Sequence, residues 1–236
     1  MMNFRQSLWA TLALSVVFAA SAARATDNNY AYGKNEYAMI RGGLAPNGAI
    51  SLAAHGEGVF GDGDFHIWLM AEPAHRKIAA LDGIGSDNNL DTGPNAYRAQ
   101  WSANSRRVAV SFRSELHVTR LNLYTIENRR AHPISGPTLF RQVTGSDVDP
   151  QWDMRPSTPE LTWKGPDRFV LRERRRFMTS EADFAGKLGA YGKLLDKLDD
   201  GKFWVEFSAE ADCEVAGKGY RIVDIRVGKF GDAKSW

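Results

Sequence analysis

Apolar positions along this chain recur mostly at every second residue, in short runs separated by glycine, proline, asparagine and aspartate, the pattern of half-buried strands. Ala49 to Ala54 and Phe65 to Met70 are two such runs, with the glycine-rich stretch 56–63 between them; Pro73 breaks the second, and Arg76 to Leu81 pairs back. A second group repeats the order. Val108, Val110 and Phe112 share one face of a strand, and Thr119 to Ile126 follows with Leu121 and Leu123 on one side and Tyr124 and Ile126 on the other. Glu127-Asn128-Arg129-Arg130 then closes a hairpin towards Ile134. A third group opens at Phe169 to Phe177 and resumes at Phe203 to Phe207 and Tyr220 to Val227. Between these the period changes: Phe184, Leu188, Tyr191, Leu195 and Leu198 are spaced by fours and threes, which predicts an inserted amphipathic helix over about 180–200. Ser180 is its expected N-cap, Glu181 and Asp183 suit its positive end, and Gly201 follows where it would stop. Gly186, Gly189 and Gly192 each cost such a helix about 1 kcal/mol relative to alanine, which close packing on the sheets, or else a smooth face kept for a partner, would compensate.

Each group begins with the same short device. Trp101-Ser102-Ala103-Asn104-Ser105-Arg106-Arg107-Val108 and Trp163-Lys164-Gly165-Pro166-Asp167-Arg168-Phe169 are each a tryptophan, a polar turn, an arginine and a strand, and Leu44-Ala45-Pro46-Asn47-Gly48-Ala49-Ile50 is a copy with leucine first. Ile50 and Val108 lie 58 residues apart and Val108 and Phe169 lie 61 apart, a period that holds one four-stranded unit. The device resembles the repeat of the periplasmic TolB-type β-propellers, relatives of the WD-type propellers, with Asp62-Gly63-Asp64-Phe65-His66-Ile67-Trp68 matching the strand that follows it. The resemblance covers residues 43 to 177 with gaps. It implies protein–protein contact in the cell envelope. It also departs from the family, because propellers close with typically four to eight blades and three are legible here. Three sheets can form a partial propeller, gain a fourth from residues 26 to 42, or dimerise through a free edge.

The first 25 residues read as a separate object. Arg5 supplies a positive start, Leu8 to Ala20 a mostly apolar run, and Ala23-Arg24-Ala25 a small-x-small site, so a secretory signal peptide with cleavage after Ala25 is expected. The run is shorter than the roughly 20 residues that span a bilayer, so no membrane span is expected after cleavage. The expected location is the periplasm or the extracellular medium, and residues 26–236 are expected to form a single domain. Losing Arg5 and Arg24 takes the basic residues from 30 to 28 against 28 acids. A near-neutral chain is a poor partner for nucleic acid. Cys213 is the only cysteine; it has no internal disulfide partner and reads as a buried packing residue.

Few residues point to chemistry. The five histidines, His55, His66, His75, His117 and His132, lack the spacing that aims two at one metal. Asp62 with Asp64, Asp82 with Asp87 and Asp91, and Asp147 with Asp149 offer oxygens, yet none completes a calcium-loop pattern. The expectation is therefore no cofactor, with calcium as the alternative. No G-x-S-x-G is present to position a serine nucleophile. Asp62, Asp64, Asp147 and Asp149 sit on loops and are the candidate carboxylates for glycan cleavage, which needs only that two acids meet in space. Arg172, Arg174 and Arg176 share a strand face opposite Leu171 and are the candidate contact for an anion or a partner.

The reading is an all-β, propeller-like stack of antiparallel sheets with one inserted helix. Its expected role is protein interaction or ligand binding in the cell envelope, with an envelope protein or small ligand as partner and a homo-oligomer as one assembly. The alternative is an envelope or extracellular glycan hydrolase.

Overall fold

A computed structural model describes residues 29–59, 63–115, 118–145 and 159–228. Within them the chain forms three antiparallel sheets, an all-β architecture as the alternation predicts. The first sheet runs β1 (Ala38–Met39), β2 (Ile50–His55), β3 (His66–Ala71) and β4 (Arg76–Gly85), each strand beside the next in sequence. The second repeats the meander with β5 (Arg98–Trp101), β6 (Arg107–Glu115), β7 (Val118–Glu127) and β8 (Arg130–Ile134). Asn128 and Arg129 both take positive φ, 49° and 62°, the tight two-residue turn that matches strand twist.

The third sheet holds β9 (Glu160–Trp163), β10 (Arg168–Thr179), β11 (Gly192–Lys197), β12 (Phe203–Ala216) and β13 (Gly219–Val227). The 14-residue β12 pairs with β10 along one edge, and its other edge is shared by β11 and β13 in tandem. Without β11, the order β9, β10, β12, β13 reproduces the meander of the other two sheets.

The insertion differs from the helix predicted for 180–200. Only one turn, α2 (Phe184–Lys187), and a 3₁₀ turn at Gly189–Tyr191 are helical, and Asp183 makes no side-chain cap. From Gly192 onward the chain is a strand on the edge of β12. The glycines give the physical reason: three weak helix positions within seven residues cannot outweigh a free edge that offers backbone partners. A second short helix, α1 (Leu139–Thr144), follows β8. Thr138 accepts from Arg141 N–H at 3.1 Å as its N-cap, and Gly145 ends it at φ 76°, the usual chemistry of helix ends.

The sheets stack face to face, and the middle one supplies both cores. Val108, Val110, Phe112 and Tyr124 pack with Leu52, Ile67 and Leu69 of the first sheet. On the opposite face Ala109, Leu121, Leu123 and Ile134 pack with Phe169, Leu171, Phe207 and Ala211 of the third. The tryptophan device locks the stack. Ala45 N–H donates to Ile50 O at 3.0 Å, Ser102 N–H to Arg107 O at 2.9 Å, and Lys164 N–H to Arg168 O at 2.9 Å, so the first two copies close the same turn and the third closes it one residue sooner. Trp101 Nε1 donates to Gly43 O at 3.0 Å, and Trp163 Nε1 to Gln100 O at 2.8 Å. Each indole thus bonds the residue just before the matching position of the preceding unit. Leu44 stands in the first unit, where the described residues include no earlier unit to receive such a bond. Gly42 marks the close approach of the first two sheets: at φ 68°, a Cβ there would lie 2.5 Å from Ala99 O.

Candidate functional site

Arg172, Arg174 and Arg176 do project from one face of β10, the outer face of the third sheet, but that face also carries the acids of β12. Arg172 pairs with Glu210, while Arg174 and Arg176 both pair with Glu206, at 2.7 and 2.6 Å. Arg226 of β13 closes the ladder on Glu210 and Asp212, at 2.5 and 2.8 Å. Burial raises the Glu206 carboxyl, yet hydrogen bonds from Arg176 and Arg174 outweigh it and hold the group below its ordinary value. The Arg172 hydrogen bond, with Arg226 beside it, lowers Glu210 in the same way. The arginines are thus engaged across the strands by carboxylates, a mutually neutralising surface.

Of the four candidate loop carboxylates, Asp62, Asp147 and Asp149 lie outside the described residues. Asp64 accepts from Glu57 N–H at 3.1 Å, as an aspartate shaping its own turn does. Asp91 is buried and takes a two-pronged contact from Arg113, at 2.9 and 2.6 Å. Among the described residues no group of three or more His, Cys, Asp or Glu is arranged to hold a metal ion.

One further polar cluster brings serine, glutamate and histidine together. Ser51 Oγ donates to Glu72 Oε1 at 2.6 Å, the same oxygen lies 2.7 Å from His75 Nδ1, and His75 Nε2 lies 2.7 Å from Tyr37 O. The serine hydroxyl donates its hydrogen bond to the carboxylate and neither ring nitrogen is its partner, so the arrangement is not that of a histidine-activated serine. The cluster instead ties the segment before β1 to the first sheet. His55 Nδ1 adds a 2.6 Å contact to Glu36 O, so adjacent backbone carbonyls are each held by a histidine.

A cleft of about 600 Å³ lies between the second and third sheets, where β7 and β8 face β10 and Tyr220 of β13. Its floor is apolar, with Leu121, Leu123, Phe169 and Leu171; Arg120, Thr138, Glu173 and Arg175 stand among its polar groups. Glu173 is buried, 4 % exposed, and points to the core side of β10. Its Oε2 accepts from Leu139 N–H at 2.7 Å and Phe140 N–H at 3.3 Å, and its Oε1 is held by Arg175 Nε. Arg175 lies over the Phe140 ring, 5.6 Å from its centre. The carboxylate therefore fixes the start of α1 as one wall of the cleft, with both oxygens committed. The sequence held a signal for this wall: Glu173 and Arg175 interrupt the core-facing alternation of Phe169, Leu171 and Phe177. The cleft has no such signal, because its walls come from segments as far apart in the chain as Asp82 and Tyr220.

No profile of a known protein family matches the chain, and no curated protein matches it either. Among the described residues no helix is long and apolar enough to cross a membrane.

Proposed function

We propose that this protein is a secreted or periplasmic, propeller-like module that binds a protein or small ligand in the cell envelope, and that the cleft between the second and third sheets is its binding site. The observation that carries this reading is the cleft itself: a concave volume of about 600 Å³ with an apolar floor and a polar rim, the usual build of a ligand site. Glu173 favours binding over hydrolysis. A glycosidase needs one carboxylic acid free to donate a proton and a second across the bond, whereas both Glu173 oxygens are occupied by structural donors. The propeller lineage is supported by the corresponding turns that begin at residues 45, 102 and 164 and by the indole bonds that step from unit to unit. Export rests on the N-terminal pattern, and residues 1–25 lie outside the described ones.

The experiment has two arms. Affinity capture from an envelope extract compares the native protein with Thr119→Trp, which fills the rim; loss of a captured component in the variant supports the cleft as the site, and identical capture overturns it. Incubation of the native protein with envelope glycans should release no reducing ends, and release would establish the hydrolase instead. The mass of the exported protein tests cleavage after Ala25.

A further inference from the structure

The two strands that meet at the cleft differ in length. β7 has ten residues and β8 has five, and their ladder ends at the Leu123–Ile134 pair. Beyond it β8 leaves for the third sheet: Ser135 N–H donates to Lys218 O at 3.1 Å, and Ser135 O accepts from Tyr220 N–H at 2.9 Å. The first half of β7 therefore has β6 on one edge and no strand on the other.

Register shows which groups face the open edge. Ile126 N–H donates to Arg106 O at 2.8 Å, and Tyr124, Asn122 and Arg120 continue that alternation opposite Val108, Val110 and Phe112. In an antiparallel ladder alternate residues address opposite neighbours, so the N–H and C=O of Thr119 and Leu121 point away from β6, into the cleft. Among the described residues none of these four groups has a hydrogen-bond partner.

Resting on the binding role proposed above, we infer that the cleft takes an extended peptide segment of another protein as an added strand on Thr119–Leu121. Strand addition of this kind draws affinity from the main chain and specificity from alternate side chains. A residue paired beside Leu121 shares its face and meets Phe169 and Leu171, so it is apolar. A residue paired beside Arg120 points the other way. Arg120 has no ion pair among the described residues, while Arg175 is held by Glu173, so the position beside Arg120 favours an acid. Asp82 and Glu115 on the same rim confine that preference to one position and disfavour an acidic run. The partner chemistry is an apolar–acidic–apolar alternation in extended form.

The test uses fluorescein-labelled, end-capped Ser-Val-Glu-Val-Ser and its Ser-Val-Lys-Val-Ser counterpart, titrated by anisotropy against the full protein. The glutamate probe should bind about two- to fivefold tighter than the lysine probe, the span of a cross-strand charge pair, and Arg120→Glu should reverse that order. N-methylation of the probe backbone should weaken binding at least about tenfold, as should Thr119→Pro, which removes an outward N–H and no bond to β6. Saturating probe should slow hydrogen exchange at the Thr119 and Leu121 amides, a readout independent of whether the proline variant folds. Unchanged exchange at both amides, or equal binding of the N-methylated probe, would overturn the inference. So would concentration-dependent self-association that the probe displaces, which would assign the edge to a second copy. If capture from the extract remains sensitive to Thr119→Trp while these probes fail, the binding role stands and strand addition falls.

Discussion

Glu173→Ala should be the most costly single substitution at the cleft. It breaks the largely buried Glu173–Arg175 pair and removes the acceptor of Leu139 and Phe140 N–H at the start of α1. Removing one partner of a buried pair costs about 3–5 kcal/mol. The Arg175 side chain keeps 17 % exposure, a route to water that places the cost at the lower end, about 3 kcal/mol. At about 2–4 °C per kcal/mol for a domain of this size, the melting temperature should fall by roughly 6–12 °C. Glu173→Gln keeps an oxygen for the α1 amides and loses only the charge, so it should cost about 1–2 kcal/mol. Arg175→Met should cost less in the Glu173→Ala background than in the native protein, because the pair is already broken there, which a double-mutant cycle in urea measures. A Glu173→Ala protein that unfolds within about 0.5 kcal/mol of the native one, a margin typical of surface changes, would refute the structural role of this carboxylate. So would an Arg175→Met penalty that simply adds to that of Glu173→Ala.

Trp163→Phe should cost about 1–2 kcal/mol by leaving the half-buried Gln100 carbonyl without its indole donor, and Trp101→Phe should cost a similar amount at Gly43; urea unfolding midpoints check both. His75 is raised above its ordinary value by the Tyr37 carbonyl and then by Glu72, so its contribution is complete below about pH 6.5 and fades as pH rises through the folded value. The native melting temperature should therefore drop across that upper window by more than that of His75→Phe; equal slopes would refute the latch. Burial pushes the Cys213 thiol up to about 12, so a maleimide at pH 8 should leave the native protein unlabelled and modify it only after denaturation. Gly136→Ala should destabilise the hairpin exit, because a Cβ there would sit 2.3 Å from the Tyr220 ring; its thermal melt should fall below that of Gly165→Ala, where nothing lies within 4 Å.

Strand positions and sheet count follow from the sequence by itself, since a two-residue period with one buried face leaves little choice of element or of facing side. Val108, Val110 and Phe112 lie on one core and Leu121 and Leu123 on the other, as their alternation predicts. The device at Leu44, Trp101 and Trp163 likewise announces three equivalent units, because its turn is closed by neighbouring residues. Tertiary structure decided what depends on distant partners. Residues 192–197 carry a helical period and yet form β11, because the free edge of β12 supplies hydrogen bonds that a glycine-weakened helix cannot match. Arg172, Arg174 and Arg176 read as available cations until β12 brings Glu206 and Glu210 across from them. The open edge of β7 exists only because β8 turns away at Ser135 to pair with a strand more than eighty residues further on, and no local pattern encodes where one strand stops short of its neighbour.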